Sequence, residues 1–184
     1  MTTSLHLAVD LGAESGRVIL GTLGPGADGQ VRLTLEELHR FPTPSLQEGT
    51  SLRWDLAAIQ DGIATGVRAG AARGRIASIG VDTWGVDYGV LDAQGNLLTA
   101  PFCYRDPRTE GVPEAFAQKH GDYGFFARSG VRPLVFNTVF QLAAHVRDDA
   151  ALFRRAAAII PISDVFHHWL SGKPAWERTQ VGTW

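Results

Sequence analysis

A single cysteine, Cys103, stands among 184 residues, which excludes an intramolecular disulfide and fits a reducing compartment. Buried filler is the ordinary role for such a residue, with a nucleophile as the alternative. Long apolar runs are missing too: nothing approaches the roughly 20 residues a membrane helix needs. Met1 to Ser4 carries no charged stretch followed by an apolar one, so no signal peptide is expected. Blocks of like charge are also missing. Seventeen basic residues against nineteen acidic ones give a net charge of −2, which favours neither nucleic acid nor a membrane surface as partner. Between Asp10 and Arg17 neither G-x-G-x-x-G nor G-x-x-x-x-G-K-[ST] is present, so the first turn carries neither of the two commonest nucleotide fingerprints. There is no internal repeat and no low-complexity tract. What remains is 45% hydrophobic and 20% charged, the composition of a globular protein long enough to bury a core, expected in the cytoplasm.

The hydrophobic pattern predicts an α/β fold that opens as an antiparallel meander. Leu5–Val9 is a short buried strand ending on Asp10. Arg17–Leu23 resumes a strand pattern, and turn residues at Gly24-Pro25-Gly26 and Asp28-Gly29 lead into Val31–Phe41. A dinucleotide-binding fold would place a helix after the first glycine-rich turn, so that fold is excluded. A loop with Pro42 and Pro44 leads to Asp55 as N-cap, and Leu56, Ile59, Ile63 and Val67 define one helical face. Ile76–Val81 is a second buried strand ending on a carboxylate, Asp82, with Val86–Leu91 expected beside it and a short strand at Leu97-Leu98. Helices are expected near Pro113–His120, Thr138–Val146 and Ala150–Ala157. A strand at Ala158–Ile162 and a helix at Ser163–Leu170, stopped by Gly172 and Pro174, complete the pattern.

Three segments carry chemistry. In Asp10-Leu11-Gly12-Ala13-Glu14-Ser15-Gly16-Arg17, small residues let backbone N–H groups approach an anion, Ser15 adds a hydroxyl and Arg17 a cation suited to phosphate oxygens. Asp10 is placed to hold Mg²⁺ through water, because that ion keeps most of its hydration shell. The plain alternative is a hairpin with a capping Asp and a surface Arg. In Gly80-Val81-Asp82-Thr83-Trp84-Gly85-Val86-Asp87-Tyr88, carboxylates and exposed amides suit hydroxyls while an indole suits a sugar's C–H face. A tight hairpin with Trp84 in the core is the competing account. Tyr104-Arg105-Asp106-Pro107-Arg108 is a charged aromatic cluster or a surface salt-bridge loop.

In this order and spacing, the segments resemble the FGGY family of carbohydrate kinases, and within it the rhamnulokinase branch. The likeness runs through His39-Arg40-Phe41, Trp54-Asp55, Ile79–Asp87, Tyr104-Arg105-Asp106, Arg128–Val131, Phe136-Asn137-Thr138 and Gln141-Leu142. It continues through Asp164-Val165-Phe166, Leu170–Lys173 and Trp176-Glu177. The resemblance implies an actin-like, ribonuclease-H-like ATPase fold with two domains facing a cleft, the whole of 1–184 belonging to the N-terminal, sugar-binding side. It implies ATP and Mg²⁺ as cofactors and transfer of the γ-phosphoryl group to a ketose, L-rhamnulose, as the small-molecule partner. By position, Ala13, Glu14, Ser15, Gly16 and Arg17 would contact the ATP phosphates, Asp10 would lie near Mg²⁺, and Gly85 would contact the sugar through its backbone. Trp84, Asp87 and Arg105 are further substrate-pocket candidates from the chemistry of their segments.

Two departures stand out. Glu14 takes a place where relatives tend to have a small or hydroxyl residue, and a carboxylate there repels phosphates unless it faces solvent or shares the metal. The family's catalytic Asp belongs to a motif expected beyond Trp184; Asp164 follows Ser163 but matches a different, helical motif. The likeness decays after Glu177, through Gln180 to Val181–Trp184. The expectation is therefore an N-terminal piece, inactive by itself, with the C-terminal domain lying elsewhere. A truncated sugar- or nucleotide-binding module is the alternative from another class. A related actin-fold ATPase of the heat-shock or acetate-kinase type is a third, against which Trp84–Asp87 speaks.

Overall fold

The computed structural model describes residues 2–182; Met1, Thr183 and Trp184, the last two in the stretch where the resemblance decays, lie outside the described residues. In chain order the strands β1 (Ser4–Leu11), β2 (Ser15–Pro25), β3 (Val31–Pro42), β4 (Ser45–Glu48) and β5 (Ser51–Trp54) precede helix α1 (Leu56–Ala71). Strands β6 (Ile76–Thr83) and β7 (Tyr88–Leu91) lead to α2 (Val112–His120), α3 (Asp122–Ser129), α4 (Thr138–Asp148) and α5 (Ala150–Phe153). β8 (Ala158–Pro161), α6 (Ile162–Ser171) and α7 (Arg178–Val181) follow. The chain divides into two compact units, 1–44 with 55–84 and 45–54 with 85–184.

The first unit is a four-stranded mixed sheet in the order β3-β2-β1-β6, with the expected antiparallel meander and β6 parallel to β1. Alternation decides its faces. Leu7, Val9, Leu11, Val18 and Leu20 are buried on one side, under α1. Asp55 starts α1 by accepting from the Ala58 N–H at 3.0 Å. Ile59 and Ile63 are buried as their spacing predicts, but a glycine stripe does the closest packing. A Cβ on Gly62, Gly66 or Gly70 would lie 2.4 Å from Phe41, 2.4 Å from Val18 and 2.7 Å from Leu7 respectively. Each helical glycine costs about 1 kcal/mol against alanine, offset here by the close seating of helix on sheet. The other face leaves Val31, Leu33 and Leu35 more than half exposed.

The second unit holds two two-stranded sheets, β4–β5 and β7–β8, and the remaining helices. Here expectation and structure part in several places. Val86–Leu91 does not continue beside β6: residues 84–87 turn, and β7 pairs antiparallel with β8 instead, the Asp87 carbonyl accepting from the Ile162 N–H at 2.9 Å. The expected helix over Ala150–Ala157 stops at Phe153, because the next N–H groups take tighter i→i−3 bonds and Ala157 donates to the Leu91 carbonyl. The stretch read as a loop contains the β4–β5 hairpin, turned at Gly49 with φ 63°. Helix α3, which the pattern did not show, is closed by Gly130 in the left-handed conformation. Leu97 forms only an isolated bridge to Leu91. Among the described residues no helix is long and apolar enough to cross a membrane.

Candidate active site

The turn between β1 and β2 is held from two sides. Gly12 N–H donates to the Ser15 carbonyl at 2.9 Å, while Thr43 donates from its hydroxyl to the Gly12 carbonyl (2.8 Å) and from its N–H to the Glu14 carbonyl (3.1 Å). The backbone is therefore fixed without help from the side chains of Ala13 and Glu14. Glu14 is exposed, the orientation in which its charge is screened. Gly16 has a different reason to be glycine: it is buried, and a Cβ would lie 2.6 Å from Phe41 and 2.8 Å from Leu11. Gly12 leaves only 3.1 Å to the Ser15 carbonyl for such an atom, so that side of the turn is bare backbone.

Strand register brings together what the sequence kept apart. Asp10 lies opposite Arg17 on β2 and beside Asp82 on β6, and Arg17 lies opposite Arg40 on β3. Asp82, Asp10, Arg17 and Arg40 thus form one row across the sheet, on the face away from Val9 and Val18. Arg17 Nε donates to Asp10 Oδ2 at 3.1 Å and Nη2 bonds the same oxygen; each side chain is 39% exposed. The Asp10 bond raises the Arg17 guanidinium above its usual range, so it stays a cation at all working pH. Arg40 is held by Glu37 at 2.7 Å. The Asp10–Asp82 neighbourhood was missed in the sequence, although both strands visibly end on a carboxylate; pairing of β1 with β6 is what makes them adjacent.

This donor set suits phosphate with its metal. Among the described residues no group of three or more His, Cys, Asp or Glu is placed to hold a metal ion. Mg²⁺ ordinarily keeps water and phosphate oxygens as its main ligands, and a lone carboxylate such as Asp10 has the chemistry to meet it through that water.

The second unit carries the other candidates. Asp87 is 1% exposed and its carboxylate is a hub: Oδ2 accepts from Trp54 Nε1 (2.7 Å) and Tyr104 N–H (3.2 Å), and Oδ1 from Gln141 Nε2 (3.0 Å). It organises the surrounding aromatics, a role that its place among the substrate-pocket candidates did not include. Arg105 lies 5.4 Å from the Trp54 ring and 5.3 Å from that of Tyr104, over their faces. It lines a cavity of about 320 Å³ with Tyr104, Glu110, Val135 and Phe136, a mixture of aromatic and charged surface suited to a polyol. Gly85 opens the unit and Trp84, half-buried, closes the other one. Phe102 carries the guanidinium groups of both Arg53 and Arg108 over its ring, 3.9 and 3.8 Å from its centroid. Cys103 is fully buried and its thiol is pushed up by burial, so it packs and does not attack.

Residues 5–184 match the N-terminal domain of the FGGY family of carbohydrate kinases. A rhamnulokinase of Bacteroides thetaiotaomicron is 40% identical over 177 residues, which is 96% of this chain and 36% of that protein. One of Enterobacter sp. is 40% identical over 184 residues, all of this chain and 37% of that protein. The chain thus spans a little over a third of the length of the curated relatives it matches. Among solved structures, a xylulose kinase from Lactobacillus acidophilus aligns with a TM-score of 0.78 at 15% identity, over 98% of this chain and 36% of its own. A gluconate kinase from the same organism gives 0.80 at 15% identity, over 99% and 36%. These likenesses show the actin-like ATPase fold.

Proposed function

Because the chain belongs to the FGGY family of carbohydrate kinases, we propose that the whole protein transfers the γ-phosphoryl group of ATP to the 1-hydroxyl of L-rhamnulose, giving L-rhamnulose 1-phosphate. The observation that carries the choice of sugar is identity: 40% to rhamnulokinases against 15% to a xylulose kinase and a gluconate kinase of the same fold. Phosphoryl transfer depends chiefly on positioning and charge neutralisation, and the residues of this chain divide between those tasks. The backbone from Ala13 to Gly16, with the Ser15 hydroxyl and Arg17, receives the nucleotide phosphates. Glu14 stays toward solvent. Asp10 stands beside the Mg²⁺, which when bound would neutralise phosphate charge. Gly85 meets the sugar through its backbone, Arg105 bounds the polyol, and Asp87 acts by holding Trp54 and the Tyr104 backbone in place.

The base that takes the proton from the sugar hydroxyl falls, by the family's pattern, in the portion of the relatives that this chain does not span. The 184 residues alone are accordingly expected to give no turnover. The test is ADP release by the full-length gene product with Mg-ATP and L-rhamnulose. Sugar-dependent release with a 1-phosphate product supports the reading; none, at millimolar sugar, overturns it.

A further inference from the structure

Val86 is the only non-glycine residue with positive φ among the described residues, at 67°. For a β-branched side chain this is an unfavourable backbone. The Asp87 N–H donates to the Gly85 carbonyl at 2.9 Å, an i→i−2 bond, so Gly85–Asp87 is a γ-turn of the rare, strained kind. A chain needing only a tight reversal would place glycine or asparagine here. A valine means that the turn is imposed from outside, since such strain persists only where surroundings over-determine it.

The imposing groups sit on α4. Thr138 Oγ1 donates to the Val86 carbonyl at 2.7 Å and Gln141 Nε2 donates to the same oxygen at 3.2 Å. Gln141 Nε2 also reaches Asp87 Oδ1 at 3.0 Å and the Phe136 carbonyl at 3.0 Å, and its Oε1 accepts from Arg108 Nη2 at 2.6 Å. Thr138 and Gln141 are 0% and 1% exposed, so water does not compete for these bonds. On the far side of the turn, Asp87 is pinned by Trp54 and the Tyr104 backbone. The strained residue is gripped by its carbonyl, immediately after a glycine that has only backbone to offer a ligand.

We propose that Thr138 and Gln141 are positioning residues that lock the Val86 γ-turn and thereby fix the peptide groups of Gly85 against the sugar. The inference rests on the reading that Gly85 contacts the ketose. Neither residue touches substrate in this account; each acts through the Val86 carbonyl. Loss of the clamp lets the turn relax, and small displacements of a binding group carry large kinetic costs.

The test compares Thr138→Val, which keeps shape and loses the donor, with Thr138→Ser, which keeps the donor. In the full-length enzyme, T138V is expected to raise the KM for the ketose about tenfold, the value of one buried hydrogen bond, with the KM for ATP within about twofold. T138S is expected to behave as wild type. T138A, which removes the donor without pressing a methyl on the Val86 carbonyl, carries the same expectation as T138V. Unchanged ketose KM in both T138V and T138A, equal rises for ATP and ketose, or a T138S as impaired as T138V would overturn the proposal. A second arm needs no turnover: hydrogen exchange at the Asp87 amide of the chain itself is expected to be about tenfold faster in T138V than in T138S. Equal exchange overturns the clamp. An enzyme that turns over no ketose sinks the functional reading above, and exchange then decides the clamp by itself.

Discussion

Arg17 reaches across from β2 and places both Nε and Nη2 on a single oxygen of Asp10, Oδ2. The carboxylate is thereby oriented with its other oxygen turned from the guanidinium, and the guanidinium is held at the mouth of the Gly12–Ser15 turn. Each group fixes the other before any ligand arrives.

Replacing Arg17 by methionine in the full-length enzyme removes a charge-assisted partner worth about 1.5–3 kcal/mol. The expected result is a rise of about 10- to 100-fold in the KM for ATP, with the ketose KM within about twofold. Steady-state kinetics with each substrate varied in turn makes the check. In a double-mutant cycle with Asp10→Asn the two effects are expected not to add, because the residues bond directly.

The glycine stripe of α1 gives a stability prediction against the propensity scale. Gly66→Ala gains about 1 kcal/mol of helix propensity yet puts a methyl 2.4 Å from the Val18 Cβ. Overpacking of that kind costs about 1–3 kcal/mol or more, so a net loss is expected in urea unfolding. Gly80→Ala, where nothing lies within 4 Å of the new atom, is the control and is expected to be neutral or better.

Trp54 and Asp87 make a third case. Trp54→Phe keeps an aromatic ring but loses the pyrrole half of the indole, leaving a small void and removing the Nε1 donor that lies 2.7 Å from a buried carboxylate. Leaving that oxygen short of a partner costs about 1–3 kcal/mol. Calorimetric melting of the variant and wild type measures it.

His145 sets a pH window. It is 3% exposed among Tyr88, Phe102 and Phe153, and burial, followed by the charges of Arg108 and Arg53, pushes its pKa down to about 4. Tyr88, whose hydroxyl lies 3.0 Å from His145 Nδ1, is pushed up to about 12 by burial and stays protonated. The unfolded chain binds the histidine proton from about pH 6.5 downward, while the folded chain resists it until about pH 4. Stability is therefore full above pH 6.5 and falls as pH drops toward 4, by about 3 kcal/mol from this group. Urea unfolding between pH 7.5 and 4.5 reads the slope, and His145→Asn is expected to flatten it.

Much of this was legible in the sequence, and the reasons are local. Alternation in β1 to β3, the Asp55 cap and the Gly172 stop are written within a few residues of where they act. The β4–β5 hairpin was not, because strands of four residues among prolines carry too little alternation. The α1 glycines read as gaps in a helical face because apolar counting gives no weight to a residue whose use is to be absent. The Asp82–Asp10–Arg17–Arg40 row needs strand register, and register is a tertiary fact. Asp87 read as a polyol ligand from its neighbours in sequence; its actual partners, Trp54, Tyr104 and Gln141, lie 33, 17 and 54 positions away. The γ-turn at Val86 runs against every local preference, so only its clamp on α4 makes it intelligible.

The proposed whole protein is a ketose kinase selective for L-rhamnulose. Its most direct test is kcat/KM of the full-length gene product for L-rhamnulose beside D-xylulose, with Mg-ATP saturating. A preference for L-rhamnulose of at least about a hundredfold is expected, because a polar site must leave hydrogen-bonding groups unmatched by the wrong sugar. Equal efficiencies, or a preference for D-xylulose, would contradict it.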